Sequence, residues 1–153
     1  MVKRNEQIFS RSTVIGVFDS LVDHAHATAL KKGFYDEKRN FQDMLDSSLS
    51  GPSVTVEAAA TYTLMQEWLK STAEQAAIAR MHSELSEWLE GIRKNPDTRD
   101  SHCPEFLSAE IEAADLIIRV MDTCGEMGYR LGAAILAKMA YNQTRPHKHG
   151  KNS

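Results

Sequence analysis

Several features that define other protein classes are scarce in this chain of 153 residues. Its two cysteines, Cys103 and Cys124, are too few and too far apart for a disulfide framework or a zinc site, so we expect reduced thiols in the cytoplasm. No apolar run approaches the roughly 20 residues of a membrane helix, and no apolar segment follows the first residues as in a signal peptide. The net charge of −3 is not typical of a general nucleic-acid binder. We therefore expect a soluble protein that binds neither membrane nor nucleic acid.

The composition that is present, 42% hydrophobic and 25% charged residues, is that of an ordinary globular chain. Its length suits a single domain over residues 1–153. Alternating β-branched runs are nearly absent, and apolar residues recur at helical spacing. The pattern predicts an all-α bundle of five or six helices, placed at 13–32, near 40–47, within 56–93, from Pro104 to about Gly125, and at 130–143.

Two local signals predict where helices end or bend. Gly33 follows the first helix and is suited to a left-handed terminating conformation. The helical pattern over 56–93 would be about 55 Å long if unbroken, which is long for a domain of this size. Because residues 71–74 read Ser-Thr-Ala-Glu, a capping box, we expect a bend or restart there.

Pairs of acidic residues three positions apart suggest a metal site. Glu84 and Glu87 share one face of a predicted helix, and Glu112 and Asp115 share a face of the next helix. Consecutive helices are natural antiparallel neighbours, so the four carboxylates could converge. Their mutual repulsion would be relieved by a divalent cation, and an oxygen-only ligand set favours Mg²⁺ or Mn²⁺ over zinc.

A solvated helix face explains the same spacing. The chain contains five acidic pairs of this kind, and about three are expected by chance at this density of acids. Glu112, Asp115, Arg119 and Asp122 also form one polar stripe, as a surface would. Apolar positions beside both acidic pairs favour a cleft between the helices instead.

The C-terminal end is cationic although the chain as a whole is acidic. Lys138, Asn142 and Arg145 share a helix face, and a basic tail covers residues 147–153. Such a set suits a polyphosphate, because lysine supplies a point charge and arginine a forked donor. A solvated basic tail is the alternative interpretation.

Residues 82–90, 110–122 and 138–151 together resemble the MazG-like all-α nucleoside triphosphate pyrophosphatases. The resemblance lies in an ExxE helix, a following ExxD helix, and the terminal run K-x-x-x-N-x-x-R-P-x-x-H-G-K. The segment 32–41 also looks like the N-terminal part of phage and bacterial members. The stretch 46–75 departs from the family pattern, and we interpret it as an insertion that extends the bundle or builds an oligomer contact.

The resemblance implies hydrolysis of a nucleoside triphosphate between its α and β phosphates. It implies that Mg²⁺ is held by Glu84, Glu87, Glu112 and Asp115, and that the chain forms a dimer or tetramer of helical bundles. Lys138 and Asn142 match positions near the substrate phosphates and sugar, and Arg145 is a weaker match. Glu87 or Glu90 could accept a proton from the attacking water.

Two other classes remain as alternatives. A ferritin-like di-metal oxidoreductase needs Glu-x-x-His on two helices, but the only acid–histidine pair at that spacing is Asp23 with His26. A catalytically inactive helical interaction or regulatory module could share the same scaffold.

Overall fold

The computed structural model describes residues 10–50 and 55–145, and in them it contains five helices and no strand. The helices are α1 (Arg11–Lys31), α2 (Asp36–Leu49), α3 (Val56–Lys94), α4 (Ser108–Glu126) and α5 (Leu131–Gln143). The prediction of an all-α fold is confirmed. The basic tail at 147–153 lies outside the described residues, as do residues 51–54 before α3. No helix among the described residues combines the length and the apolarity needed to cross a membrane.

The turn between α1 and α2 forms at Gly33, as the sequence predicts. Gly33 has a φ of +79°, a region open to glycine but costly for other residues. Its N–H donates to Leu30 O, and the N–H of Phe34 donates to Ala29 O, so the last carbonyls of α1 are satisfied. The second helix begins at once, at Asp36, four residues earlier than predicted.

The predicted restart of the helix at residues 71–74 is wrong, because α3 continues as one helix of 39 residues through this segment. The polar side chains that suggested a helix cap form hydrogen bonds within α3 instead. The hydroxyl of Thr72 donates to Trp68 O one turn back, and Ser71 Oγ accepts from the Gln75 side chain. The Thr72 hydroxyl shares the Trp68 carbonyl with the helical backbone, and neither hydroxyl caps a new helix. The helix therefore runs on for about 58 Å along its length.

The predicted start of α4 at Pro104 is also wrong, since α4 begins at Ser108. Glu110 accepts a hydrogen bond from the Leu107 N–H at 2.7 Å and so satisfies a backbone donor at the helix start. The preceding loop is held by an isolated bridge between Arg99 and Leu107. The loop therefore returns the chain from α3 to α4 in a fixed register.

The helices α3 and α4 pack against each other as antiparallel neighbours. A Cβ atom on Gly91, near the end of α3, would lie 3.6 Å from Ala109 N at the start of α4. Further from the loop, Glu84 on α3 contacts Arg119 on α4. The described contacts also pack α1 against both α4 and α5, whereas α2 touches α3 only lightly.

The apolar core of the described chain is small. Among residues 10–50 and 55–145, the buried apolar side chains are Val22, Ala29 and Met121, and no large side chain there is fully enclosed. Close helix contact instead relies on glycines, because a Cβ atom on Gly125 would lie 2.6 Å from His26 Cβ on α1. The bundle therefore holds together through close backbone approach and polar contacts as much as through apolar burial.

We expect Gly125→Ala to destabilise the fold by about 1–3 kcal/mol, because the new methyl group overlaps His26 Cβ and forces α1 away from α4. Gly16→Ala is the matched control. Gly16 lies in α1 with nothing within 4 Å of the added Cβ, so this change should stabilise by about 0.5–1 kcal/mol through helix propensity. Urea unfolding followed by circular dichroism measures both; equal stability changes in the two variants would contradict the close contact.

Candidate metal centre

Glu84 is the buried charged residue at the contact between α3 and α4. Its residue surface is 7% exposed, and its Oε1 accepts a hydrogen bond from Arg119 Nε at 2.5 Å. A buried carboxylate is costly unless it is paired and hydrogen-bonded. Arg119 supplies that pairing from α4, while its own side chain stays 43% exposed. The arginine that looked like part of a solvated stripe in the sequence therefore points at the acid on the neighbouring helix.

Three of the four predicted metal ligands meet at this contact. Glu84, Glu112 and Asp115 each offer a carboxylate oxygen, and the three oxygens lie within 4.8 Å of one another. Glu112 and Asp115 are half-buried. Together with Glu84 they form what we name the acidic cluster, which is suited to hold a metal ion. Its ligands are hard oxygens without sulfur or imidazole.

The electrostatics of the acidic cluster disfavour its fully ionised form. Burial raises the pKa of the Glu112 carboxyl, and the negative charges of Glu87, Glu84 and Asp115 raise it further. Burial and the charge of Glu84 likewise raise the pKa of Asp115, against the opposing effect of Arg119. Arg119 thus compensates only part of the negative charge, and a bound cation would remove the remaining repulsion.

Glu87, the fourth predicted ligand, lies near the acidic cluster but is not one of its three members. Its side chain is exposed, and its Oε1 accepts a hydrogen bond from the Ser83 hydroxyl at 3.1 Å. Its charge is nevertheless close enough to raise the pKa of Glu112. Glu90, the other predicted proton acceptor, forms ion pairs with Arg93 and Lys94. Glu87 is therefore the freer of the two carboxylates.

Asp100 is an acid near the cluster that the sequence analysis did not select. Its Oδ1 accepts hydrogen bonds from the N–H groups of His102 and Cys103, both at 2.8 Å. These bonds lower its pKa, so it stays ionised. Its charge in turn raises the pKa of both Glu112 and Asp115. In the sequence, the run Asp-Ser-His-Cys-Pro at 100–104 predicts a turn. It does not predict that the Asp100 carboxylate lies near Glu112 and Asp115.

The predicted phosphate-binding residues Lys138, Asn142 and Arg145 lie on or just after α5, and all three are exposed. The Lys138 ammonium lies 4.9 Å from the centre of the Tyr141 ring. The main neighbour of α5 is α1, whereas the acidic cluster lies on α3 and α4. No hydrogen bond or ion pair between described residues joins this cationic face to the acidic cluster.

A second polar cluster lies further along α4 and involves the histidine of the ferritin-like alternative. His26 Nδ1 is 2.9 Å from Asp122 Oδ1, which also accepts a hydrogen bond from the Tyr35 hydroxyl. Glu126 contacts both His26 and Lys38. Burial and the bond to Asp122 raise the pKa of Tyr35. These groups satisfy one another and join α1 and α2 to α4, and none of them belongs to the acidic cluster.

Comparisons with protein-family models, curated proteins and solved structures find no match to this chain. The resemblance to the MazG-like pyrophosphatases therefore stays a prediction from the sequence.

We expect Mg²⁺ or Mn²⁺ to raise the melting temperature by several degrees, as for a ligand present at about 100 times its Kd. The increase should grow from pH 5 to pH 8. The pKa values of Glu112 and Asp115 are raised, so protons compete with the cation at low pH. Without a cation, the folded state holds these protons more tightly than the unfolded state. Stability should then fall as pH rises above the ordinary carboxyl values. Thermal unfolding across this pH range measures both trends.

Glu112→Gln separates this interpretation from a general salt effect. It removes one ligand and one repelling charge, so at pH 8 it should raise the melting temperature without a cation and lose the cation-induced increase. Glu67→Gln, an exposed acid elsewhere on α3, is the control and should behave as wild type. An equal cation effect in all three proteins would contradict a site at the acidic cluster.

Proposed function

We propose that the protein hydrolyses a nucleoside or deoxynucleoside triphosphate to the monophosphate and pyrophosphate with Mg²⁺, Mn²⁺ being a possible substitute. The observation that carries the proposal is the convergence of Glu84, Glu112 and Asp115 from two helices. Oxygen-only ligands are those that Mg²⁺ prefers, and Mg²⁺ is the usual partner of nucleotide phosphates. The reaction itself, hydrolysis between the α and β phosphates, is inferred from the resemblance of the ExxE and ExxD motifs to the MazG-like family.

In this proposal the acidic cluster holds the cation at the contact of α3 and α4. When bound there, Mg²⁺ would offset phosphate charge and lower the pKa of a water molecule. Glu87 completes the acidic surface from one helical turn away. Because its carboxylate bonds only to the Ser83 hydroxyl within the described part of the chain, we assign it the role of proton acceptor. Glu84 is held in place by Arg119 and serves to position the cation.

The cationic face of α5 would bind the polyphosphate. Lys138 and Arg145 supply positive charge for the departing pyrophosphate, and Asn142 supplies a polar contact to the sugar. Their exposure leaves them accessible to a ligand from solvent. These residues lie on α5, which packs against α1, whereas the acids lie on α3 and α4. The cationic face and the acidic cluster would therefore bind opposite ends of one extended substrate, or one substrate would be shared between two copies of the chain.

One observation favours the alternative of an inactive interaction module. Arg119 already neutralises Glu84 with a close hydrogen bond, as in an ion pair whose role is structural. In that alternative the acidic cluster fixes the register of α3 and α4 and binds no nucleotide. The two functions differ in whether pyrophosphate is released.

Purified protein with Mg²⁺ should release pyrophosphate from at least one member of a panel of ribo- and deoxynucleoside triphosphates. Asp115→Asn and Glu87→Gln should each lower the rate at least about 100-fold, because the first loses a ligand and the second a proton acceptor. Helical content by circular dichroism should be unchanged. Glu67→Gln should retain full activity. A wild-type protein inactive on the whole panel, or full activity in both acid variants, would favour the interaction module.

Lys138→Ala tests the cationic face separately. We expect KM for the triphosphate to rise about tenfold with a smaller effect on kcat, the loss expected for one charge-assisted phosphate contact. Steady-state kinetics at saturating Mg²⁺ measure the two constants. Unchanged kinetics would remove Lys138 from the binding site and leave the acidic cluster assignment intact.

A further inference from the structure

Arg119 is a cation beside the acidic cluster whose hydrogen-bonding capacity is mostly unused. Its Nε donates to Glu84 Oε1, and its ion pair is with the same acid. Within residues 10–50 and 55–145, neither of its terminal nitrogens, Nη1 and Nη2, donates a hydrogen bond. A guanidinium carries five N–H donors. Four of them therefore have no hydrogen-bond partner in this part of the chain.

The bond to Glu84 fixes the guanidinium of Arg119 without burying it. The side chain of Arg119 is 43% exposed, whereas that of Glu84 is 9% exposed. Because the buried acid holds Nε, the planar group has a fixed attachment point, and its unused donors are left to solvent. An anion from solvent can accept hydrogen bonds from Nη1 and Nη2 without breaking the bond to Glu84. A donor group held in place in this way loses little conformational freedom when it binds.

Neutralisation of Glu84 alone does not account for this geometry. The strongest contacts between arginine and a carboxylate are bidentate, with two parallel N–H···O bonds. The hydrogen bonding between Arg119 and Glu84 uses a single N–H instead. Lysine could supply one charged donor equally well, whereas the planar fork of arginine matches the geometry of a phosphoryl group. The unused fork therefore indicates a second partner for this side chain.

Arg119 is also close to the predicted metal ligands on its own helix. Asp115 precedes it by one helical turn on the same face of α4. The positive charge of Arg119 opposes the rise in the pKa of Asp115. Lys138 and Arg145, by contrast, lie on or just after α5, which packs mainly against α1. Arg119 is therefore the better placed of these cations to contact an anion held by a metal ion at the acidic cluster.

We propose that Arg119 binds a phosphoryl group of the ligand through Nη1 and Nη2, next to the phosphoryl group that the metal ion holds. The inference rests on the metal ion of the proposed function, but it does not require hydrolysis. It also defines the ligand class. A diphosphate unit can contact the metal ion and the guanidinium together, whereas orthophosphate offers a single phosphoryl group. Ligands with two adjacent phosphoryl groups should therefore bind more tightly.

Calorimetric titration with inorganic pyrophosphate and with orthophosphate, each with saturating Mg²⁺, tests this assignment. Arg119→Lys should weaken pyrophosphate binding about tenfold and orthophosphate binding much less, because the forked contact is lost. The lysine keeps a positive charge beside Glu84, so the increase in melting temperature caused by Mg²⁺ alone should be retained. Arg93→Lys is the matched control. Arg93 is 68% exposed near the end of α3 and pairs with Glu90, so this variant should behave as wild type.

A purely structural role of Arg119 predicts a different pattern. Arg119→Lys would then reduce the stabilisation by Mg²⁺ and weaken both anions by the same factor. That pattern, an unchanged pyrophosphate affinity in Arg119→Lys, or no binding of pyrophosphate by the wild type with Mg²⁺ would overturn the inference. Failure of the proposed function is recognised separately. A protein that binds pyrophosphate through Arg119 but hydrolyses no triphosphate would support the inference and contradict the hydrolase.

Chemical labelling of the wild-type protein keeps the test informative if Arg119→Lys does not fold. Phenylglyoxal reacts with accessible guanidinium groups, and mass spectrometry of peptides locates the labelled arginines. Pyrophosphate with Mg²⁺ should slow the labelling of Arg119 severalfold relative to Mg²⁺ alone, and orthophosphate should slow it less. Arg93 should be labelled at the same rate under all three conditions. Labelling of Arg119 that does not respond to pyrophosphate would overturn the inference.

Discussion

The contact between α3 and α4 brings three carboxylates together with a single guanidinium, and much of the molecule depends on how that imbalance is accommodated. Glu84 is buried and tied to Arg119, whereas burial and mutual repulsion raise the pKa of Glu112 and Asp115. Sequences that only need a packed core do not require such an arrangement, because apolar residues of similar volume are often equally stabilising. The contact therefore lowers stability in the cation-free state, a cost that a bound cation would offset.

The helices were predictable because their signals are local. Helical spacing of apolar residues and the glycine at position 33 identify α1 and its end without knowledge of its neighbours. The wrong predictions concern side chains that are compatible with two local structures. Ser71 and Thr72 can cap a helix or bond within one, and only the surrounding packing decides. Pro104 can open a helix, but the bridge between Arg99 and Leu107 delays the start of α4.

The candidate site was predictable in part for the same reason. The spacing of Glu112 and Asp115 fixes their shared face, and the antiparallel neighbour brings Glu84 to them. Glu87 lies one turn away on a more exposed face, a difference of about 60° that spacing on a single helix does not resolve against a partner. Arg119 and Asp100 could not be selected, because their roles depend on the contact between helices and on the loop that joins them.

The anchoring of Asp100 has a consequence for the order in which ligands arrive. Its oxygen is committed to two backbone amides, so this carboxylate can neither turn away nor take up a proton easily. An anion that approaches the cation-free protein therefore meets a fixed surplus of negative charge, which one arginine does not cancel. In the proposed function, entry of a phosphate-bearing molecule would become favourable only once a metal ion has offset this negative charge. The metal ion would therefore bind before the anion or together with it, without any moving part in the chain.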